Sequence, residues 1–114
     1  MTSIPDTSAF QIEVAKHPGV VLVDFYTDGC APCRMMTPVL EELARERNDI
    51  KIVKVDAASN FELAAQFRVQ AVPTFLLFNS GQVCGQFTGA RSKKALVSWI
   101  ETNRPISVLS RSEA

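Results

Sequence analysis

Apolar residues form four short segments with the pattern of β-strands. Residues 20–26 (VVLVDFY) are rich in β-branched side chains and almost continuously apolar, which is typical of a strand covered on both faces. Residues 50–56 (IKIVKVD) are also strand-like. Residues 74–78 and 82–87 flank the turn sequence NSG, which predicts two antiparallel strands joined by a tight turn.

Helical spacing occupies the segments between these strands. The longest predicted helix runs from about Pro32 to Arg47, with its apolar residues on one face and a kink expected at Pro38. Shorter helices are predicted after Asn60 and Ser92, because both side chains can cap a helix N-terminus. An N-terminal helix is expected to end at Pro18–Gly19.

This order of elements predicts an α/β fold. A strand, a helix and a second strand form a right-handed crossover, so residues 20–26 and 50–56 should be parallel neighbours. The last two strands form an antiparallel hairpin, and a mixed sheet with helices on both faces follows. We expect one domain over residues 1–104 and a flexible tail over residues 105–114.

Composition and charge exclude several classes of protein. Hydrophobic residues make up 46% of the 114 residues, as in an ordinary globular domain. Lysine plus arginine equal aspartate plus glutamate at 12 each. The sequence therefore lacks the excess of positive charge that would indicate binding to nucleic acid or to a membrane surface. The N-terminal sequence MTSIPDTSAF has no basic region followed by an apolar stretch, and we therefore expect a cytoplasmic protein.

Cys30 and Cys33 are the strongest candidates for chemistry. The pair is open to three interpretations: a structural bridge, half of a zinc site, or a redox-active dithiol. Zinc is disfavoured because only Cys84 and His17 remain as sulfur or imidazole ligands. Cys30 stands where a strand ends and a helix begins, and the helix N-terminus stabilises a thiolate there. Pro32 is compatible with the first helical turn.

Other residues near this pair have a functional and a plain interpretation. Asp24 interrupts an apolar strand, so burial should raise its pKa and make it an acid–base group; alternatively, it marks a frayed strand end. Lys54 in the neighbouring strand either reaches Asp24 or is a surface lysine whose stem covers apolar atoms. Pro73 starts a strand, where trans is the commoner isomer. Cys84 is expected to be a small buried apolar residue; alternatively, it is a regulatory thiol.

With these residues assembled, the sequence resembles the thioredoxin family over about residues 6–104. The segments that carry the resemblance are VVLVDFYTDGCAPCRMMTPVLEELA, IVKVDAASN, QAVPTFLLFNSGQ and FTGARSKKAL. The resemblance implies the thioredoxin fold, with a central mixed sheet of four to five strands flanked by four helices. It also implies that Cys30 is the attacking thiol, Cys33 the resolving thiol, Asp24 the buried acid and Lys54 its neighbour, and that Pro73 is cis. The substrate contacts implied are Gly29, Ala31, Pro32, Val72, Pro73 and Gly89.

Four residues around the motif depart from the family pattern. Gly29 and Tyr26 each replace a tryptophan, Ala31 replaces a glycine, and Asp28 adds an anion two residues before Cys30. The loss of the indole at Gly29 reduces the apolar contact around the thiol. We therefore expect an altered range of partners and unaltered exchange chemistry.

The function expected from this resemblance is the reduction of protein disulfides. The family's properties imply a monomer with no bound cofactor, recycled by an NADPH-dependent thioredoxin reductase. They also suggest ribonucleotide reductase, peroxiredoxin or methionine sulfoxide reductase as clients. The alternatives are a disulfide oxidase or isomerase, a non-enzymatic adaptor with the same fold, and a metal or iron–sulfur carrier bridged between chains.

Overall fold

A computed structural model describes residues 1–105, which form a five-stranded sheet with helices on both faces. The strands are β1 (Thr2–Ile4), β2 (Val20–Tyr26), β3 (Ile50–Asp56), β4 (Thr74–Asn79) and β5 (Gln82–Thr88). The helices are α1 (Thr7–Phe10, continued by a π-helical turn Gln11–Ala15), α2 (Ala31–Glu46), α3 (Phe61–Gln66) and α4 (Lys93–Asn103). This architecture confirms the predicted α/β fold class.

The sheet has the order β1-β3-β2-β4-β5. β2 is parallel to β3, as the crossover argument predicts, and antiparallel to β4. β4 and β5 form the predicted antiparallel hairpin. β2 therefore lies in the centre of the sheet, which is why its sequence is apolar on both faces.

Two apolar cores cover the two faces of the sheet. One core packs Val21, Val23 and Phe25 of β2 against α1 and α3, through Phe10, Val14, Leu63 and Ala64. The other packs Val20 and Leu22 against α2 and α4, through Met36, Leu40, Leu43, Leu96 and Ile100. Successive side chains of a strand point to opposite faces, so Asp24 lies on the α2 side, with Val20 and Leu22.

Two local features differ from the expectation at the N-terminus. Thr2–Ile4 forms an edge strand parallel to β3, and the sequence did not predict it. The first helix begins after Asp6, whose carboxylate accepts a hydrogen bond from the Ala9 N–H at 2.8 Å. It ends at Ala15 in a π-helical turn, before the expected end at Pro18–Gly19.

Asn60 and Ser92 stand at the N-caps of α3 and α4, as predicted, but only the Ser92 side chain makes a capping bond. The Asn60 amide donates to the Asp56 carbonyl at 3.1 Å, and the Asp56 carboxylate accepts from the Ala58 N–H at 2.9 Å in the turn that follows β3. The Ser92 hydroxyl accepts a hydrogen bond from the Ala95 N–H at 3.1 Å. Pro38 lies inside α2, which continues to Glu46; the kink there stays a prediction.

The predicted tail, residues 105–114, lies outside the described residues apart from its first residue. Within residues 1–105, no helix has both the length and the hydropathy that a membrane-spanning helix needs.

Candidate active site

Cys30 occupies the junction between β2 and α2. It is the N-cap of α2, and its sulfur accepts a hydrogen bond from the Cys33 N–H at 3.2 Å. The Cys30 carbonyl accepts from the Arg34 N–H at 3.1 Å, and Pro32 lies in the first turn. The free N–H groups and the positive end of the helix dipole therefore face the Cys30 sulfur, where they stabilise negative charge.

Cys30 and Cys33 are bonded to each other in this structure. Their Cα atoms are 5.2 Å apart, within the usual range for a disulfide. The two cysteines differ in accessibility, since Cys33 is only 5% exposed whereas Cys30 is half-buried. A large partner molecule therefore reaches Cys30 first.

The segment before β4 lies directly beside the disulfide. The Val72–Pro73 peptide bond is cis, as the family resemblance implies and contrary to the trans default for proline. The Val72 carbonyl oxygen is 3.8 Å from the Cys30 sulfur. The Gly89 N–H donates to the Pro73 carbonyl at 2.8 Å, so the segment after β5 is tied to the same surface.

The remaining predicted contact residues surround the exposed side of the disulfide. Gly29, Ala31 and Pro32 are all exposed. Gly29 has φ +80°, in the left-handed region that favours glycine, and a Cβ atom at this position would meet nothing within 4 Å. The open space at Gly29 lies where the family resemblance implies an indole.

Asp24 is buried on the α2 side of the sheet. It is 2% exposed, and within residues 1–105 its Oδ1 has no hydrogen-bond partner. Burial raises the pKa of Asp24 to about 7, while the Lys54 ammonium acts in the opposite direction. Asp24 and Lys54 are register partners on β2 and β3, which places them on the same face of the sheet. The expected burial of Asp24 is thus confirmed.

A cavity of about 130 Å³ connects the acid to the disulfide. Asp24, Lys54, Cys33 and Tyr26 all line it. Sequence reasoning did not assign a role to Thr37, which also lines the cavity. Helical spacing contains that signal, because Thr37 is four residues after Cys33 and so shares its face of α2.

Lys54 has a partner that the sequence did not predict. Its ammonium nitrogen lies 4.5 Å from the centre of the Tyr26 ring, a cation–π distance. The sequence alone identifies Tyr26 only as the replacement of a tryptophan in the pattern of the family it resembles. The contact depends on the register of β2 and β3, which a single sequence does not reveal.

Cys84, the third cysteine, lies on β5 away from the site. Its thiol donates to the Leu77 carbonyl at 3.4 Å, and burial raises its pKa. Within residues 1–105, no group of three or more cysteine, histidine or acidic side chains is arranged to hold a metal ion. The site thus combines a half-exposed sulfur, a buried second sulfur and a buried carboxyl, a set of groups suited to thiol–disulfide exchange.

Comparisons with known proteins agree with this chemistry. The thioredoxin family model matches residues 2–102. A thioredoxin from Rickettsia bellii is 34% identical over 104 residues, which span 90% of this chain and 99% of that protein. A bifunctional thioredoxin reductase/thioredoxin from Mycobacterium leprae is 42% identical over 91 residues, which span 79% of this chain and 20% of that protein.

A solved structure shows the same fold. The X-ray structure of Fasciola hepatica thioredoxin superimposes with a TM-score of 0.83 at 30% sequence identity, covering 91% of this chain and 100% of that one.

Proposed function

The chain belongs to the thioredoxin family, and on that basis we propose that it reduces disulfide bonds in client proteins, with Cys30 attacking and Cys33 resolving. Thioredoxins are thiol–disulfide oxidoreductases, so the chain is a redox enzyme. The observation that supports the assignment of roles is the difference in burial: Cys30 is half-buried at a helix N-terminus, whereas Cys33 is 5% exposed behind it.

The exchange proceeds in two steps. In the first, the Cys30 thiolate attacks one sulfur of a client disulfide; a mixed disulfide forms, and the other client sulfur leaves and takes up a proton. In the second, Cys33 loses its proton and attacks the Cys30 sulfur; the bond between Cys30 and the client breaks, and the second client sulfur leaves as a thiolate and takes up a proton. Two electrons pass to the client, and the Cys30–Cys33 disulfide remains.

Asp24 is the proposed acceptor of the Cys33 proton. Its pKa of about 7 means that both protonation states are populated near neutrality, which is what a general acid–base group requires. Asp24 and Cys33 line the same cavity, and a cavity of about 130 Å³ has room for water that relays the proton. Lys54 stabilises the ionised form of Asp24 by its charge.

The client binds beside the cis peptide bond. The Val72 carbonyl oxygen lies 3.8 Å from the Cys30 sulfur, in position for a hydrogen bond from an extended client backbone. Exposed Ala31 and Pro32 on one side and half-buried Gly89 on the other complete the contact surface.

The oxidised protein is recycled by an NADPH-dependent thioredoxin reductase. The bifunctional relative supports this partner, because its name joins a thioredoxin reductase to a thioredoxin. Ribonucleotide reductase, peroxiredoxin and methionine sulfoxide reductase are the proposed clients. The protein works as a monomer in the cytoplasm and needs no bound cofactor, since both electrons are carried by its two sulfurs.

Reduction of insulin disulfides with NADPH and a thioredoxin reductase tests the function. We expect turnover by the unmodified protein and none by Cys30→Ser. Cys33→Ser should instead accumulate a mixed disulfide, because the resolving thiol is absent. Cys84→Ser is the matched control and should retain full activity. Activity that survives in Cys30→Ser would refute the assignment of Cys30 as the attacking thiol. A reduction potential of the Cys30–Cys33 couple in the range of disulfide oxidants would show that the protein forms client disulfides and does not reduce them.

Gly29 is the proposed determinant of partner choice. Gly29→Trp restores apolar contact beside the disulfide and is expected to raise the rate of insulin reduction. Because φ is +80° at this position, Gly29→Asn is the matched control: asparagine tolerates the left-handed backbone and adds no aromatic surface. Equal rates for both variants would contradict this role of Gly29.

A further inference from the structure

Tyr26 and Lys54 stand together at the cavity behind the disulfide. Tyr26 is two residues after Asp24 on β2, so both side chains lie on the α2 face of the sheet. Lys54 is the direct neighbour of Asp24 on β3 and is diagonal to Tyr26, whose own register partner is Asp56. Diagonal pairs are within reach of aromatic and long side chains.

The Tyr26 ring is the contact that holds the Lys54 ammonium. The ammonium nitrogen lies 4.5 Å from the ring centre, well inside the range of a cation–π interaction. Among residues 1–105, Lys54 takes part in no ion pair, although carboxylates hold Lys51 and Lys93. Without the ring, the flexible lysine side chain is free to extend into solvent.

We propose that Tyr26 is a positioning residue whose ring keeps the Lys54 ammonium beside the Asp24 carboxyl in the cavity that both share with Cys33. This inference rests on the proposed function, because it concerns the group assigned to accept the Cys33 proton. Tyr26 acts through Lys54 and needs no contact with the client.

The other groups around Asp24 leave this role to Lys54. On α2, Cys33 and Arg34 line the cavity, and Arg34 is exposed; Asp28 in the preceding loop is also exposed. On β4, the register partner of Asp24 is Phe75, which carries no charge. Lys54 is accordingly the cation that lowers the pKa of Asp24 against the effect of burial.

The test is a titration of the Asp24 carboxyl in the oxidised full-length protein by carbon NMR, with the resonance identified from its loss in Asp24→Asn. Tyr26→Leu should shift the midpoint upward, by no more than Lys54→Met shifts it. Tyr26→Phe keeps the ring and should leave the midpoint unchanged. In the double variant, which combines Tyr26→Leu with Lys54→Met, the midpoint should equal that of Lys54→Met alone, because no ammonium remains to be positioned.

The direction in which the Asp24 midpoint shifts distinguishes a positioning role of Tyr26 from a purely structural one. If the ring serves only to exclude water from the cavity, its removal hydrates Asp24 and shifts the midpoint downward. A downward shift, no shift, or an equal shift with and without Lys54 would overturn the inference. Tyr26→Val, which suits a strand, is the second variant if Tyr26→Leu does not fold.

The titration also distinguishes this inference from the proposed function, since it needs no client or reductase. If the carboxyl midpoint rises as expected, the inference stands whether or not insulin is reduced. If the pH profile of insulin reduction then fails to move with it, the role assigned to Asp24 in the reaction is the part that fails.

Discussion

Replacement of Asp24 by asparagine tests whether the buried carboxyl makes the stability of this fold depend on pH. Asp24 is 2% exposed, and in the described part of the chain its Oδ1 has no hydrogen-bond partner. Burial raises its pKa from 3.8 to about 7, with Lys54 acting in the opposite direction. The substitution keeps the shape of the side chain and removes its ionisation.

The direction of the effect follows from the proton bound in each state. As the pH rises from about 4, the carboxyl ionises in the unfolded chain but keeps its proton in the folded protein until about pH 7. Asp24 therefore lowers the stability as the pH rises through this window and contributes no further change above it. The raised pKa corresponds to about 4 kcal/mol lost between the two pH values, a large fraction of a typical free energy of unfolding.

Urea unfolding of the oxidised protein, followed by circular dichroism, measures this effect. Relative to the unmodified protein, Asp24→Asn should gain about 2 kcal/mol in free energy of unfolding between pH 5 and pH 7, because the folded carboxyl is already half ionised at pH 7. Asp28→Asn is the matched control, because Asp28 is an exposed carboxylate in the neighbouring loop. It should show no comparable gain. If the difference between Asp24→Asn and the unmodified protein is the same at both pH values, the reasoning from burial is refuted.

Two further predictions concern the β4–β5 turn and the single tryptophan. Gly81 has φ +81°, and a Cβ there would collide with the Ala15 carbonyl oxygen. Gly81→Ala should therefore lower the free energy of unfolding by roughly 2 kcal/mol. Gln82→Ala, at an exposed position, is the control and should have little effect in the same urea assay. An equal effect of both variants would contradict this explanation. Trp99 lies on α4, and its indole packs against the Phe87 ring of β5, with 4.6 Å between the ring centroids. Because the contact of the indole is with Phe87 and not with the disulfide, its fluorescence should change little when the disulfide is reduced. A strong change in emission on addition of dithiothreitol would show that the disulfide acts on the indole.

Several features could be predicted because neighbours in the sequence carry the whole signal. The continuous apolar run of β2 indicates burial on both faces, and a carboxyl inside such a run is expected to be desolvated. The cysteine spacing and the strand-to-helix transition similarly place the sulfur of Cys30 at a helix N-terminus. Both predictions rest on local geometry, since a strand or a helix turn relates only residues a few positions apart.

Other features depend on contacts between distant segments, and there local signals were absent or misleading. Residues 2–4 are too few to show a strand period, and they form β1 only because the edge of β3 is available. Asn60 has the residue type of a helix cap and stands at the N-cap of α3, yet its side chain makes no capping bond and its Nδ2 donates to the Asp56 carbonyl. The cis bond before Pro73 was implied by family resemblance, because the physics of the isolated dipeptide favours trans.

The acid–base arrangement behind the disulfide depends both on local sequence signals and on contacts between distant segments. The sequence alone favoured burial of Asp24, and it predicted that the Cys30–Cys33 motif begins a helix and that Lys54 belongs to a neighbouring strand. Only the tertiary structure decided that Lys54 stands beside Asp24 and against the Tyr26 ring. The physical reason is that the register between two strands is set by the packing of both faces of the sheet, and a shift by one residue would turn Lys54 to the opposite face.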